Sequence, residues 1–116
     1  MSDCVYHGEL LSVEKQDDSV VLELKIPSNL YYFQGHFANA PVLPGVVLTH
    51  WVVEYVSQYF NVDPNGFEAF NGLKFQIIVC PGYTLKLHLK QINPNKYSFS
   101  YSSVHGKHSS GKVLFV

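Results

Sequence analysis

Arginine is absent from this 116-residue chain: all eight basic residues are lysine, set against nine acidic residues and six histidines, for a formal net charge of −1. No guanidinium fork is available for bidentate contacts to phosphates or base edges, and the lysines form no patch, so nucleic-acid binding is disfavoured. Charge of either sign is scarce, at 15% of a chain that is 47% hydrophobic. That is little for a monomer's surface, and it points to a face covered by a partner or a second copy. Cysteine is limited to Cys4 and Cys80, in no CxxC or Cys/His ligand spacing. A disulfide framework is therefore not expected, and a reduced, cytoplasmic protein is. The start, "MSDCVYHGELLSVEKQDD", lacks the apolar core of a secretion signal. The most apolar run, 42–60, is too short and too interrupted by His50 and Glu54 to span a membrane. Repeats, linkers and low-complexity stretches are also missing, so one domain over 1–116 is expected.

Alternation is what the chain has in quantity. In "VVLELKIP", Leu22, Leu24 and Ile26 alternate with Glu23 and Lys25, the period of a half-buried strand. "YTLKLHLKQ" sets Tyr83, Leu85, Leu87 and Leu89 opposite Thr84, Lys86, His88 and Lys90. "YSFSYSS" sets Tyr97, Phe99 and Tyr101 opposite serines. The breaks are turn-like, "PG" at 81–82, "NPNK" at 93–96 and "HGKH" at 105–108, and such short links favour an antiparallel meander. One segment differs. From Pro44 to about Phe60, "PGVVLTHWVVEYVSQYF" is long enough for a helix, with proline at its start. At about 100° per residue, His50, Glu54, Ser57 and Gln58 gather on one side while valines, Trp51 and Tyr55 cover the rest. That predicts a largely buried helix, and hence an α+β fold in which a sheet wraps one central helix.

The helix is preceded by "GHFANAPVLPGVV", which holds Gly35, His36, Phe37, Pro41, Pro44 and Gly45. This stretch resembles the Gly-His-Phe and Pro-x-x-Pro-Gly signature of the β-hydroxyacyl thioester dehydratases of fatty-acid synthesis, which have a hot-dog fold. "LPGV" followed by Trp51, and "LKFQIIVCPG" at 73–82 as a strand that breaks at Pro-Gly, are similar to the dehydratases of aryl-polyene clusters. The resemblance runs along nearly the whole chain. It implies dehydration of a 3-hydroxyacyl thioester, carried by acyl carrier protein or coenzyme A, in a homodimer or in a heterodimer with a related hot-dog subunit. A hot-dog thioesterase and a non-catalytic partner subunit are the alternatives left open.

The chemistry explains the residue types. Removing water from such a thioester needs a base at the α-carbon and an acid at the departing hydroxyl. The resemblance makes His36 the base, and the ordinary imidazole range leaves such a side chain largely neutral near pH 7. The helix start around Gly45 and Val46, after Pro44, offers unpaired N–H groups to the carbonyl as enolate charge develops. Gly35 and Phe37 complete the expected substrate-binding set. The family's acid is a carboxylate on the central helix, contributed across a dimer interface, and at that position this chain has His50. Ala38 likewise replaces a common proline. His50 as imidazolium could protonate the hydroxyl, Glu54 one turn on could hold or feed it, or the step is impaired. No cofactor is called for.

The remaining candidates have plainer explanations. His7, His88, His105 and His108 are expected at the surface, in strands or turns. His105 and His108 supply only two ligands, so no metal site is expected. Cys80 is expected to be a small buried apolar residue. Tyr31, Tyr32 and Phe33 are expected in the core, at a dimer contact or along an acyl tunnel. Lys74 is expected as a solvated strand lysine.

Overall fold

A computed structural model describes residues 5–33 and 41–116. Six strands form one antiparallel sheet: β1 (Glu9–Lys15), β2 (Ser19–Lys25), β3 (Phe67–Phe75), β4 (Thr84–Asn93), β5 (Lys96–Ser103) and β6 (Gly106–Phe115). Their order is β1-β2-β4-β5-β6-β3. The meander expected from the short links holds for β4, β5 and β6. It fails at β3, which returns to pair with β6 instead of β4. One helix, α1 (Gly45–Phe60), packs on the sheet. This is the α+β hot-dog arrangement anticipated from the sequence.

Register explains why alternation was so informative. Leu22 pairs with Leu87, and Leu87 with Tyr101, so the buried residues of β2, β4 and β5 form continuous rows across the sheet. Leu24–Leu85 and Val20–Leu89–Phe99 make parallel rows beside it. All of these side chains are buried, and they meet Val47, Leu48, Trp51, Val52 and Val56 of α1. Truncating one such leucine to alanine is expected to cost roughly 2–5 kcal/mol.

Helix α1 is buried on one face only, which corrects the expectation of a helix covered nearly all round. Val46 is 73% exposed, and Val53 and Tyr55 are half-buried. Periodicity counted apolar residues but could not say which of them meet the sheet. Pro44 stands at the N-cap with extended backbone and makes no side-chain cap. At the other end Asn61 turns left-handed, φ 56°, and its N–H bonds the Ser57 carbonyl. Within the helix, the Tyr101 hydroxyl donates to the Leu48 carbonyl at 2.7 Å in full burial, tying α1 to β5. The Trp51 indole, 1% exposed, donates to the Tyr6 carbonyl at 3.1 Å, and the Tyr31 N–H bonds the Val5 carbonyl.

Two further expectations change. The strand foreseen across 73–82 ends at Phe75, and 76–80 runs outside the ladder. The cause is His108, expected at the surface but 1% exposed in β6. Its Nδ1 faces the Ile77 carbonyl at 3.0 Å and its Nε2 the Ser103 hydroxyl at 2.6 Å, while its own carbonyl takes the N–H groups of Gln76 and Ile77. The turn therefore falls at 104–105, and "HGKH" is mostly strand. Cys80 is half-buried instead of buried. Phe33 is buried and Tyr32 packs against the core, whereas Tyr31 is exposed. His88 and Lys74 are exposed as expected, and His105 stacks on Tyr83 at 4.0 Å.

The buried Tyr101 hydroxyl generates a stability prediction. Burial pushes it well above its ordinary value of 10.0, with Tyr55 and Glu54 adding to the effect. The unfolded chain loses this proton near pH 10 while the folded chain keeps it. The stabilisation is thus complete below pH 10 and is lost as pH climbs further. Tyr101→Phe is expected to lower stability by about 1 kcal/mol near pH 7 in urea unfolding, and to make stability above pH 10 fall less steeply than in the wild type. An unchanged alkaline profile would show that Tyr101 is not the group responsible.

Candidate active site

The described half of the expected site gathers at the start of α1. Leu43 is held by its N–H to the Val79 carbonyl at 2.8 Å, which brings the 41–44 segment alongside residues 76–79. Between them and the helix start lies an apolar cleft of about 340 Å³, lined by Leu43, Gly45, Val46, Leu48, Phe75 and the 76–79 segment, with His108 at its base. Because Pro44 provides no side-chain cap and the Val47 N–H bonds the Pro44 carbonyl, the N–H groups of Gly45 and Val46 and the positive end of the helix dipole are left for a ligand oxygen. Glycine at 45 has a packing reason as well. A Cβ there would stand 2.6 Å from Cε1 of Phe75, so the ring lies directly on the helix backbone and leaves no room for a side chain.

On the other side of Val46 a second hollow of about 380 Å³ is lined by Thr49, His50, Val53, Glu54, Pro64, Phe67 and Phe70. His50 and Glu54 are its ionisable groups. They lie on one face of α1, with His50 Nε2 3.5 Å from Glu54 Oε1, in side chains 67% and 42% exposed. Thr49, between them and the sheet, turns its hydroxyl back to the Val46 carbonyl at 2.9 Å. Pro44, Gly45, Val46, His50 and Glu54 therefore lie along the first three turns of the helix, about 3.6 residues to each turn. Gly35, His36 and Phe37 lie outside the described residues.

One member of the cluster was missed. His7, expected as a plain surface histidine, places Nε2 at 3.1 Å from Glu54 Oε1 and 3.2 Å from Oε2, and its ring stacks on Trp51. No local pattern links positions 7 and 54; only the burial of Trp51, and the carbonyl of Tyr6 it binds, brings the N-terminal segment there. Among the described residues no group of three histidine, cysteine or carboxylate side chains has the geometry to hold a metal ion. Nearby, burial raises the Tyr55 hydroxyl above 10.0, with Tyr59 and Glu54 contributing.

Comparison with known proteins gives this geometry a context. The model of the ApeI-like family, described as ApeI dehydratase, matches residues 12–112. The chain is 34% identical to a 3-hydroxyacyl-[acyl-carrier-protein] dehydratase FabZ of Pediococcus pentosaceus, over 67% of this chain and 56% of the relative. The chain thus spans little more than half the length of the curated relatives it matches first. Among solved structures, an uncharacterized protein of Erwinia carotovora superposes with a TM-score of 0.76 at 34% identity, over 94% of this chain and 95% of the other. The dehydratase heterocomplex ApeI:P of Xenorhabdus doucetiae does so with a TM-score of 0.78 at 26% identity, over 92% and 96%. A match over so much of the chain, on the same helix and sheet, shows that the protein belongs to the ApeI-like dehydratase family.

Proposed function

We propose that this chain, acting as one hot-dog domain within a dimer, dehydrates a 3-hydroxyacyl thioester to the trans-2-enoyl thioester. The observation that carries this is the uncapped start of α1 opening on an apolar cleft, with His50 in the second turn and Glu54 in the third turn of the same helix. Relatives named for action on acyl carrier protein thioesters support the same substrate class. The thioester carbonyl oxygen takes N–H groups at Gly45 and Val46, so that enolate charge is stabilised as it forms. Pro44 sets the helix start and Gly45 lets the substrate come close to the backbone. His36, flanked by Gly35 and Phe37, removes the α-proton. As the β-carbon–oxygen bond breaks, His50 as imidazolium protonates the leaving hydroxyl, and water departs.

The dimer accounts for surface that the single chain leaves uncovered. Val46, Phe75, Ile77 and Ile78 are exposed around the cleft, and β3 ends the sheet with a free edge. A second copy or a related hot-dog subunit fits this surface, since the free edge can pair with another strand and the apolar groups lie beside it. The heterocomplex formed by the Xenorhabdus dehydratase favours the related subunit as the second form of the same reading. In either case the acid on one helix serves a histidine across the interface.

Purified protein, alone and co-expressed with a related subunit from the same organism, should convert a 3-hydroxyacyl carrier-protein thioester to enoyl product without releasing free thiol. His36→Ala is expected to abolish turnover, and His50→Ala to lower kcat by about 100-fold. Full rate in His50→Ala would remove the imidazole from the acid role; free thiol as the sole product would mean hydrolysis instead. Gly45→Ala adds a methyl where Phe75 lies. It is expected to lower kcat/KM about tenfold while stability stays within about 1 kcal/mol, because the gain in helix propensity offsets displacement of an exposed ring. Urea unfolding and steady-state kinetics on the same variant separate the two effects.

A further inference from the structure

The helix face that carries His50 also holds His7, and how His7 is held matters. Its Nε2 addresses both oxygens of Glu54, at 3.1 and 3.2 Å, while His50 Nε2 stands 3.5 Å from Oε1. A single carboxylate thus lies between two imidazoles. An exposed ion pair between two long flexible chains is worth little, because both wander. His7 does not wander in that way. Its ring stacks on Trp51 at 6.2 Å and 24°, and the preceding residue's carbonyl is bound by the buried Trp51 indole. The Val5 carbonyl takes the Tyr31 N–H at 2.7 Å, which fixes the segment again on its other side. The position of His7 is therefore set by the core, and Glu54 comes to a partner already in place.

We propose that His7 is a positioning residue for the proton donor: it anchors the Glu54 carboxylate, and Glu54 orients His50 toward the substrate hydroxyl. This rests on the dehydratase reading above. With both Glu54 oxygens engaged by His7, the carboxylate does not rotate away from the helix, and Oε1 keeps a lone pair facing His50 Nε2. In imidazolium form His50 carries a proton on each nitrogen. Nε2–H faces Glu54, which leaves Nδ1–H for the hydroxyl that departs. When the β-carbon–oxygen bond breaks, that proton passes to the oxygen, water leaves, and His50 becomes the neutral Nε2–H tautomer, with Nε2 still toward Glu54 Oε1. The carboxylate thus selects one tautomer and one ring orientation, as an orienting carboxylate does beside a catalytic histidine. The hollow lined by His50, Glu54, Val53 and Phe70 gives the donor an apolar border on one side.

Two measurements on the intact dimer test this separately. The first needs no turnover. In protein labelled with nitrogen-15 at histidine, His7→Phe keeps a ring on Trp51 but loses the donor, and should shift the ring nitrogens of His50. The shift should vanish when Glu54→Gln is already present. Ring resonances of His50 that ignore His7→Phe overturn the proposal, whether or not the protein turns over. The second is kinetic. His7→Phe should lower kcat about tenfold with KM within about twofold, since proton transfer and not binding is affected. His7→Gln, which restores an N–H donor, should recover most of the loss, and Glu54→Gln should be no worse when His7→Phe is added. A wild-type kcat in His7→Phe, or losses that multiply in the double variant, also overturns it. If the nuclear signals couple and the wild type forms no enoyl product, the dehydratase reading fails while the positioning contact stands.

Discussion

The packing of one face of α1 onto the sheet is the contact on which the rest of the molecule depends. The helix is sixteen residues long and rich in valine, so its local propensity is poor and isolated helices of this length are marginal in water. It exists because Leu48, Trp51, Val52 and Val56 are buried against the rows Leu22–Leu87–Tyr101 and Leu24–Leu85. The hydrogen bond from Tyr101 to the Leu48 carbonyl then fixes where along the sheet the helix sits. Once that is set, two distant pieces of chain have only one place to go. Residues 76–79 run past the helix start, held by His108 and Leu43, and the N-terminal segment lies over Trp51. Cleft and polar cluster are both consequences of the same buried face.

The opposite face shows what a single chain does not finish. Val46 projects between two hollows, and both are lined by residues of β3 or its continuation. β3 is an edge strand whose side chains are mostly exposed, including Phe67, Leu73 and Phe75. Exposed edges with apolar side chains are avoided unless something pairs with them. The low charge content noted in the sequence and this bare edge express the same property, one in composition and one in geometry.

Strands whose faces differ in chemistry were legible residue by residue. Leu85, Leu87 and Leu89 are buried and Thr84, Lys86, His88 and Lys90 exposed, as alternation requires. The helix was legible in extent, because Pro44 and Gly45 mark its start and the apolar pattern runs to about Phe60; the left-handed turn of Asn61 that ends it is seen only in the structure. What could not be read was which element each residue would face. β1 and β3 alternate poorly because neither buries a full face, so β3 was extended past its end and its pairing with β6 was missed. His108 carried no mark of its burial, since its partners Ile77 and Ser103 lie on other segments and one of them is a main-chain carbonyl. In the site, the i, i+4 pair of His50 and Glu54 was visible on a helical wheel, while His7 depended on a fold that brings positions 47 apart together.

The pairing of His50 with Glu54 has a physical logic within the proposed mechanism. Where the resemblance implies a carboxylate, this chain carries His50, with Glu54 one turn later. The acidic group of this helix face thus stands about 5–6 Å along the helix from that position, one turn of the α-helical pitch. A carboxylate so displaced no longer occupies the position of the acid, and in the proposed mechanism the imidazole of His50, which stands at that position, takes over the proton. The cost is an extra group to orient, since an exposed histidine samples several rotamers and two tautomers. A donor proposed with that extra degree of freedom needs a fixed neighbour, and Glu54 can be that neighbour only if something fixes Glu54. Trp51 and the segment lying on it provide that fixed point, so the substitution in the helix and the placement of the N-terminal histidine are two parts of one arrangement.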